Sequence, residues 1–289
     1  VFSAFGTEVT QLNRSSRLLR GVDEEVVARF EEAASKQWNI VKDASLSEIR
    51  ENADGSVTVV AKRTTENGEE LLEIPADAVL VATGRRPNTD TLNAKNYFDV
   101  QDGGQLSVDK YQRVLYNGAP VPGVYALGDV SSRYQLKHVA NHEARVVQHN
   151  LSHPEDLRVS DHRYVPGAVF SNPQIAVVGM TEEQARQAAE REGFEITVKA
   201  QNFGDTAYGW AMEDKIGLCK LIARKDNGEL LGAHLVGEES SVLIQPLLQA
   251  MSFGMDARTL ARGQYWIHPA LTEIIENALL GLEFDEPAN

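Results

Sequence analysis

The sequence of 289 residues contains little cysteine and a deficit of positive charge. Cys219 is its only cysteine, which excludes an internal disulfide and any metal site built from several cysteines. A chain without disulfides is typical of a reducing compartment, so the sequence predicts a cytoplasmic location. Because 42 acidic residues outnumber 28 basic ones and give a net charge of -14, a broad surface for nucleic acid or anionic lipid is excluded.

Long apolar runs and a glycine-rich phosphate loop are also missing. No stretch approaches the roughly 20 apolar residues that a membrane-spanning helix needs. The chain opens on Val1-Phe2-Ser3, without Met and without the basic flank and apolar run of a signal peptide, so we expect it to begin inside a longer protein. A G-x-G-x-x-G loop would then lie upstream of Val1.

What remains is a globular composition with 42% hydrophobic residues and a length that suggests about two domains. The first half alternates strand and helix signals. The predicted strands are Thr7 to Leu12, a hairpin on either side of Asp54-Gly55, and two buried runs, Ala78 to Ala82 and Val124 to Leu127; the predicted helices begin at Asp23 and span His138 to Leu151. This pattern is typical of an α/β fold.

The second half follows a polar segment, Ser152 to Tyr164, which we predict to be a linker. Its signals are a strand from Ala168 to Val178 broken at Asn172-Pro173, a helix opened by the capping box Thr181 to Gln184, a hairpin around Asp226-Asn227-Gly228, and helices over Ser241 to Met251 and Pro269 to Leu280, with Pro269 at the first helical position. Such a mixture predicts an α+β domain with an antiparallel sheet.

Three arginines, Arg14, Arg17 and Arg20, follow the first predicted strand in an otherwise acidic chain. Guanidinium groups suit phosphate oxygens. At the end of the second strand of a dinucleotide-binding fold, an acidic residue reads the ribose 2'-hydroxyl of NAD, whereas an arginine accommodates the 2'-phosphate of NADP. Here arginine is present and the acid is absent, although a solvated basic turn is an equally simple interpretation.

Two turns follow the predicted buried strands. Gly128-Asp129 closes the later strand, where a carboxylate can accept hydrogen bonds from a polyol, and Thr83-Gly84 closes the earlier one. Each turn taken alone is also explained structurally, since glycine permits tight turns and aspartate stabilises them.

His268 precedes a predicted helix that carries Glu273 in its first turn. A carboxylate that orients an imidazole makes it an acid or base near neutral pH, whereas the simpler alternative is a capping or buried histidine. The other histidines show no metal-ligand spacing, and Cys219 lies in an apolar strand pattern that favours a buried, unreactive thiol.

In this order, three segments resemble the flavoprotein pyridine nucleotide-disulfide oxidoreductases. They are Val81 to Asn88 (VATGRRPN), Val124 to Asp129 (VYALGD), and His268-Pro269 with Glu273; Ala168 to Ile175 (AVFSNPQI) agrees with them. The resemblance covers essentially the whole chain. It implies the later part of a Rossmann-like NADP-binding domain at residues 1–81, the returning segment of an FAD-binding domain at 82–153, and a dimerisation domain at 164–289.

The resemblance also implies roles for individual residues. Asp129 would bind the ribityl chain of FAD, Arg14 and Arg20 would hold the 2'-phosphate of NADP, and Gly84 would lie near the nicotinamide nucleotide. The residues implied along the flavin ring are Gln135, Leu136, Lys137 and His138. His268, held by Glu273, would protonate the thiolate leaving a small-molecule disulfide, reaching into the partner subunit of a homodimer.

The chain departs from this family in having one cysteine, so it cannot form the redox-active pair by itself. We therefore expect a carboxy-terminal fragment that is inactive alone and has reduced affinity for FAD. A related member such as dihydrolipoamide dehydrogenase or glutathione reductase is one alternative. A non-catalytic dimerisation module is another, and the upstream coding sequence distinguishes it from a truncated reductase.

Overall fold

The computed structural model describes residues 1–285, which divide into two compact units. One unit combines Val1–Leu80 with the chain from Pro166 onward, and the other is Val81–Val165. Among the described residues no helix has both the length and the apolar character required to cross a bilayer.

The first unit opens with a strand, a helix and a second strand that pairs in parallel with the first. These are β1 (Thr10–Leu12), α1 (Glu24–Ala34) and β2 (Asn39–Val41). The Asp23 side chain accepts a hydrogen bond from the Glu25 N–H at the start of α1, as its position predicted. Parallel strands need such a crossover connection, so the α/β prediction for this region is confirmed.

A three-stranded antiparallel sheet follows, with its strands in chain order. It consists of β3 (Ala44–Glu51), β4 (Val57–Thr65) and β5 (Gly68–Ala76). Gly55 has a φ of 84° in the β3–β4 turn, a backbone conformation that favours glycine. The predicted hairpin at Asp54-Gly55 is therefore confirmed.

The carboxy-terminal part of this unit is built on a five-stranded antiparallel sheet in the order β10-β11-β12-β9-β8. Its strands are β8 (Gly167–Val169), β9 (Gln174–Gly179), β10 (Ile196–Asn202), β11 (Leu218–Arg224) and β12 (Leu230–Gly237). The break at Asn172-Pro173 and the hairpin around Asp226-Asn227-Gly228 lie where the sequence predicted them. The α+β prediction for this region is thus confirmed.

Six helices accompany this sheet among the described residues: α3 (Glu182–Glu192), α4 (Ala207–Ala211), α5 (Ser240–Leu243), α6 (Gln245–Phe253), α7 (Ala257–Arg262) and α8 (Glu273–Leu280). The capping box of Thr181 and Gln184 forms as predicted. The single helix predicted over Ser241 to Met251 is wrong, because Pro246 lacks the N–H needed to continue α5 and instead lies in the first turn of α6. Pro269 at a first helical position is also wrong, since residues 268–272 form turns and α8 begins at Glu273.

The amino- and carboxy-terminal parts of the first unit share a hydrophobic core. Side chains of α1 and of the preceding loop pack with three residues of the antiparallel sheet, Ile175, Leu218 and Val236. Because α1 rests on that sheet, the loop between β1 and α1 is anchored at its helical end. The assignment of residues 1–81 and 164–289 to separate domains stays a prediction.

The second unit contains a hairpin, a 3-10 turn and one long helix. The hairpin is β6 (Arg113–Tyr116) with β7 (Ala119–Tyr125), the turn is Gly128–Val130, and the helix is α2 (Lys137–Ser152). Its core includes Leu106 and Val114. The predicted linker at residues 152–164 is irregular, as expected, but it packs back on this unit through the Ser160 N–H, which donates to the Lys110 carbonyl.

The buried strand predicted over Ala78 to Ala82 is wrong. This run forms no strand, and Leu80 and Val81 are 73% and 68% exposed. A strand needs a neighbour for its backbone groups and a packing partner for its side chains, and no strand among residues 1–285 pairs with this run.

Candidate functional site

The turn after β7 presents a carboxylate beside an arginine. Asp129 lies in the Gly128–Val130 turn and is exposed, and its Oδ2 accepts a hydrogen bond from Arg85 Nη1 at 2.9 Å. Both groups come from one compact unit, so the two motifs that contain them, VATGRRPN and VYALGD, meet in space. A half-exposed carboxylate next to a guanidinium can bind hydroxyl groups and phosphate.

The four residues predicted along a flavin ring lie immediately after this turn. Gln135 has a positive φ of 50°, Leu136 is the N-cap of α2, and Lys137 and His138 begin the helix. Leu136 offers no side-chain cap, and the first turn of α2 carries no acidic residue. The first backbone N–H groups of α2 therefore suit an acceptor supplied from outside the helix.

Glu143 is a buried acid that sequence reasoning missed. Its side chain is 1% exposed, and its Oε2 accepts a hydrogen bond of 2.6 Å from the N–H of Gly128. Its Oε1 lies 3.0 Å from His162 Nε2. The spacing contained a signal, because Glu143 lies four residues after Val139 and three before Val146, on the apolar face of α2.

Gly84 is exposed and has a φ of 130°, a backbone conformation that residues other than glycine rarely adopt. A Cβ at this position would meet nothing within 4 Å. The backbone here is thus open to close approach by a ligand, but the predicted nicotinamide contact stays a prediction.

The basic loop lies between β1 and α1. Arg14 and Arg20 are exposed. Arg20 Nε donates to Ser15 Oγ at 3.0 Å, and the Arg17 guanidinium donates to the carbonyl of Arg20 at 3.3 Å. None of these three arginines forms an ion pair with any residue that the structure describes. The guanidinium groups of Arg14 and Arg20 are therefore available for an anionic ligand at the end of β1.

His268 and Glu273 form the pair that the sequence predicted. His268 Nδ1 lies 2.7 Å from Glu273 Oε1; the histidine side chain is 68% exposed and the glutamate side chain 17%. Glu273 Oε2 is buried and has no hydrogen-bond partner among the described residues. A largely buried carboxyl therefore contacts the Nδ1 side of an exposed imidazole and leaves Nε2 on the other side of the ring, an arrangement that can transfer a proton to or from a bound molecule.

Cys219 is buried in β11, and burial raises the pKa of its thiol to about 12. A thiol with this pKa holds almost no thiolate at neutral pH and is unreactive, as predicted. Among residues 1–285, no group of three or more His, Cys, Asp or Glu side chains is arranged to hold a metal ion.

A second buried charge cluster was also missed. The ammonium group of Lys220 on β11 lies 2.9 Å from Asp23, 2.8 Å from Glu182 and 3.3 Å from Glu25. It links the start of α1 to the start of α3. Both faces of β11 are buried, so the alternation of residues along this strand does not by itself indicate that Lys220 is buried.

Comparisons with known proteins show the family to which this chain belongs. The family model for the pyridine nucleotide-disulphide oxidoreductases matches residues 1–144, and the model for the dimerisation domain of the same family matches residues 165–279. Mycothione reductase of Mycobacterium tuberculosis is 52% identical over 287 residues, which are 98% of this chain and 59% of that protein. Dihydrolipoyl dehydrogenase of Synechocystis is 32% identical over 279 residues, 96% of this chain and 58% of that protein.

Solved structures show the same fold. The HOCl-induced flavoprotein disulfide reductase RclA from Escherichia coli is 27% identical and superimposes with a TM-score of 0.81, over 97% of this chain and 60% of its own. LpdA from Mycobacterium tuberculosis, at 22% identity and a TM-score of 0.80, supports the fold over 96% of this chain and 57% of its own. The chain spans about 59% of the length of the mycothione reductase that it matches. It belongs to the pyridine nucleotide-disulphide oxidoreductase family.

Proposed function

We propose that this chain supplies nucleotide-binding and acid-base residues of an NADPH-dependent, FAD-containing disulfide reductase that acts on mycothione. The observation that carries the proposal is the exposed His268 imidazole held by Glu273. The substrate assignment rests on the 52% identity to mycothione reductase over 98% of this chain.

The residues after β7 fit a flavin nucleotide. Asp129 offers a half-exposed carboxylate that can accept hydrogen bonds from ribityl hydroxyls, and the open start of α2 at Leu136 offers backbone N–H donors to a ring carbonyl. When bound there, FAD would accept a hydride from NADPH and pass electrons to a cysteine disulfide. Arg85, hydrogen-bonded to Asp129, fixes the orientation of that carboxylate.

Arg14 and Arg20 support NADPH over NADH. Both guanidinium groups are exposed at the end of β1, where a 2'-phosphate would lie in a dinucleotide-binding fold, and Asn13 occupies the place of a ribose-binding acid. A phosphate between two guanidinium groups gains charge-assisted hydrogen bonds that a 2'-hydroxyl cannot supply.

His268 would act on the disulfide substrate. Glu273 holds the Nδ1 side of the ring, so the outward Nε2 can hold a proton and give it to the thiolate that leaves when the substrate disulfide is cleaved. Tyr265 and Ile267 beside it are highly exposed apolar side chains, as expected if a second copy of the chain covers this segment in a homodimer. In that dimer His268 would serve the partner subunit's site.

The chain has one cysteine, and thiol-disulfide exchange through an enzyme disulfide requires two. By itself this chain should therefore reduce no mycothione, and the cysteine pair must come from outside these 289 residues.

His268→Gln tests the acid role in the protein expressed from the complete reading frame. Stopped-flow absorbance should show unchanged flavin reduction by NADPH, and reoxidation by mycothione slowed by about 100-fold, which is a typical effect of removing a general acid. Equal losses in both half-reactions would assign His268 a structural role. Arg262→Gln, an exchange on the same exposed segment, should alter neither step.

An NAD-dependent relative is the second candidate, because dihydrolipoyl dehydrogenases from five organisms are 30 to 32% identical to this chain. Arg14→Glu distinguishes the two. If NADPH is the reductant, the KM for NADPH should rise at least tenfold, since a carboxylate would repel the 2'-phosphate, while that for NADH changes little. Unchanged NADPH kinetics would remove Arg14 from the nucleotide site.

A further inference from the structure

Hydrogen bonds hold both peptide groups that flank Gly128. Its N–H donates to the buried Glu143 carboxyl at 2.6 Å, and its carbonyl accepts from the N–H groups of Ser131 and Ser132 at 3.0 and 2.7 Å. Since the peptide groups on both sides of Gly128 are held, the turn presents the next residue, Asp129, in a defined direction.

Packing reinforces the same contact. Gly128 has a φ of 68°, and a Cβ there would lie 3.2 Å from the Cβ of Ala140. Ala140 and Glu143 are three residues apart and share one face of α2. The turn thus packs on the helix through a close apolar contact and one buried hydrogen bond. Within residues 1–285, Glu143 is the only side chain that accepts a hydrogen bond from the Gly128 N–H.

The other oxygen of Glu143 connects the turn to the segment that follows α2. His162 Nε2 lies 3.0 Å from Glu143 Oε1 and 3.2 Å from Ser160 Oγ, and its ring packs against that of Tyr134 with centroids 5.6 Å apart. The carboxyl group is therefore held from two directions and cannot follow the turn if the turn moves.

We propose that Glu143 is a positioning residue for cofactor binding: it holds the Gly128–Asp129 turn so that the Asp129 carboxylate meets the ribityl hydroxyls. The inference rests on the proposed role of Asp129 and extends it to a residue that touches no cofactor. A buried carboxyl that only filled space would be replaceable by an apolar side chain, whereas this one has a single backbone donor to satisfy.

Glu143→Ala tests this role, with Asn150→Ala as the matched control. Asn150 is a buried polar residue of the same helix, and its side chain binds the backbone of Tyr111 and Arg158 and lies away from the turn. Two measurements are made: hydrogen exchange of the Gly128 amide in this chain, and the Kd of FAD for the apoprotein expressed from the complete reading frame, from the quenching of flavin fluorescence.

Glu143→Ala should speed the hydrogen exchange of the Gly128 amide and raise the Kd of FAD by about tenfold, the equivalent of one lost hydrogen bond. Asn150→Ala should leave both values unchanged even if it lowers the unfolding midpoint. Glu143→Gln keeps an acceptor for the Gly128 N–H, so FAD affinity should return to within about threefold of the unsubstituted protein, a difference smaller than one hydrogen bond.

The outcomes separate this inference from the proposed function. FAD binding that is strong in the unsubstituted protein and unchanged in Glu143→Ala overturns the positioning role alone, as does an equal loss in Glu143→Ala and Asn150→Ala. An unsubstituted protein that binds no FAD overturns the proposed cofactor function and this inference with it.

Discussion

Two largely apolar runs of this chain differ completely in burial. Leu218 to Ala223 in β11 is completely buried, with a paired strand on each side. Ala78 to Ala82 is as apolar, yet it forms no strand and its larger side chains face solvent. Apolar composition therefore favours burial of a run, but the run is buried as a strand only where neighbouring strands pair with it.

The comparison also shows why the buried run tolerates a charge. Lys220 lies within β11 at 5% exposure, where three carboxylates surround its ammonium group. Burial by itself lowers the pKa of a lysine, but the hydrogen bonds that Lys220 donates to Glu182 and Asp23 outweigh it and raise the Lys220 pKa above its usual value. A run without such neighbours could not carry a buried charge.

Lys220→Ala should break the comparison most strongly. It leaves buried carboxylates without their cation, a change that typically costs about 3–5 kcal/mol of unfolding free energy. Urea denaturation followed by circular dichroism measures it. Lys225→Ala is the control, because Lys225 pairs with Glu195 at the surface, and it should leave the midpoint unchanged. A small effect at Lys220 would mean that the cluster is solvated.

Leu221→Ala and Leu80→Ala compare the two runs directly. Leu221 is fully buried, so its truncation should cost about 2–5 kcal/mol through lost burial and a cavity. Leu80 is 73% exposed, and its truncation should change the unfolding free energy by less than about 0.5 kcal/mol. Equal losses in the same urea titrations would contradict the burial assigned to residues 78–82.

The smallest effect concerns pH. Burial lowers the pKa of His234 in the folded chain. The unfolded chain therefore binds a proton near pH 6.5 where folded His234 stays neutral, and the free energy of unfolding should fall as the pH drops through that value. Asp23 and Lys220 are the charged groups that act on this ring. His234→Gln should reduce the change of the urea midpoint between about pH 7.5 and pH 5.5, the window around the usual histidine pKa. If the midpoint of the variant changes with pH as much as that of the unsubstituted chain, another group is responsible for the titration.

Asp23 and Glu182 govern the more acidic range. Burial raises both pKa values, but hydrogen bonds from Lys220 and other donors outweigh it and leave both below their usual values. Their contribution is present above about pH 4 and is lost as the pH falls through their lowered pKa values. The two ranges are therefore separable in one set of titrations.

Local signals predicted much of the fold and part of the site. Caps and turns such as Asp23, Thr181 and Asp54-Gly55 depend on a few adjacent residues, so the sequence indicates them directly. The His268–Glu273 pair was predictable for the same reason, because the two residues are only five positions apart.

Long-range contacts were not predictable from one sequence. Glu143 meets Gly128 across 15 residues, and Lys220 meets Asp23 across 197, so neither spacing carries a local signature. The buried-strand prediction at Ala78 to Ala82 failed for a related reason, since a strand's environment is set by neighbours that its own residues do not specify.

The most direct test of the proposed disulfide reductase activity is NADPH-driven reduction of mycothione by the protein expressed from its complete reading frame. We expect a yellow, FAD-containing protein that reduces mycothione with a clear preference for NADPH over NADH, while the present chain with added FAD reduces none. A colourless protein, or one that consumes no NADPH with mycothione, would contradict the account.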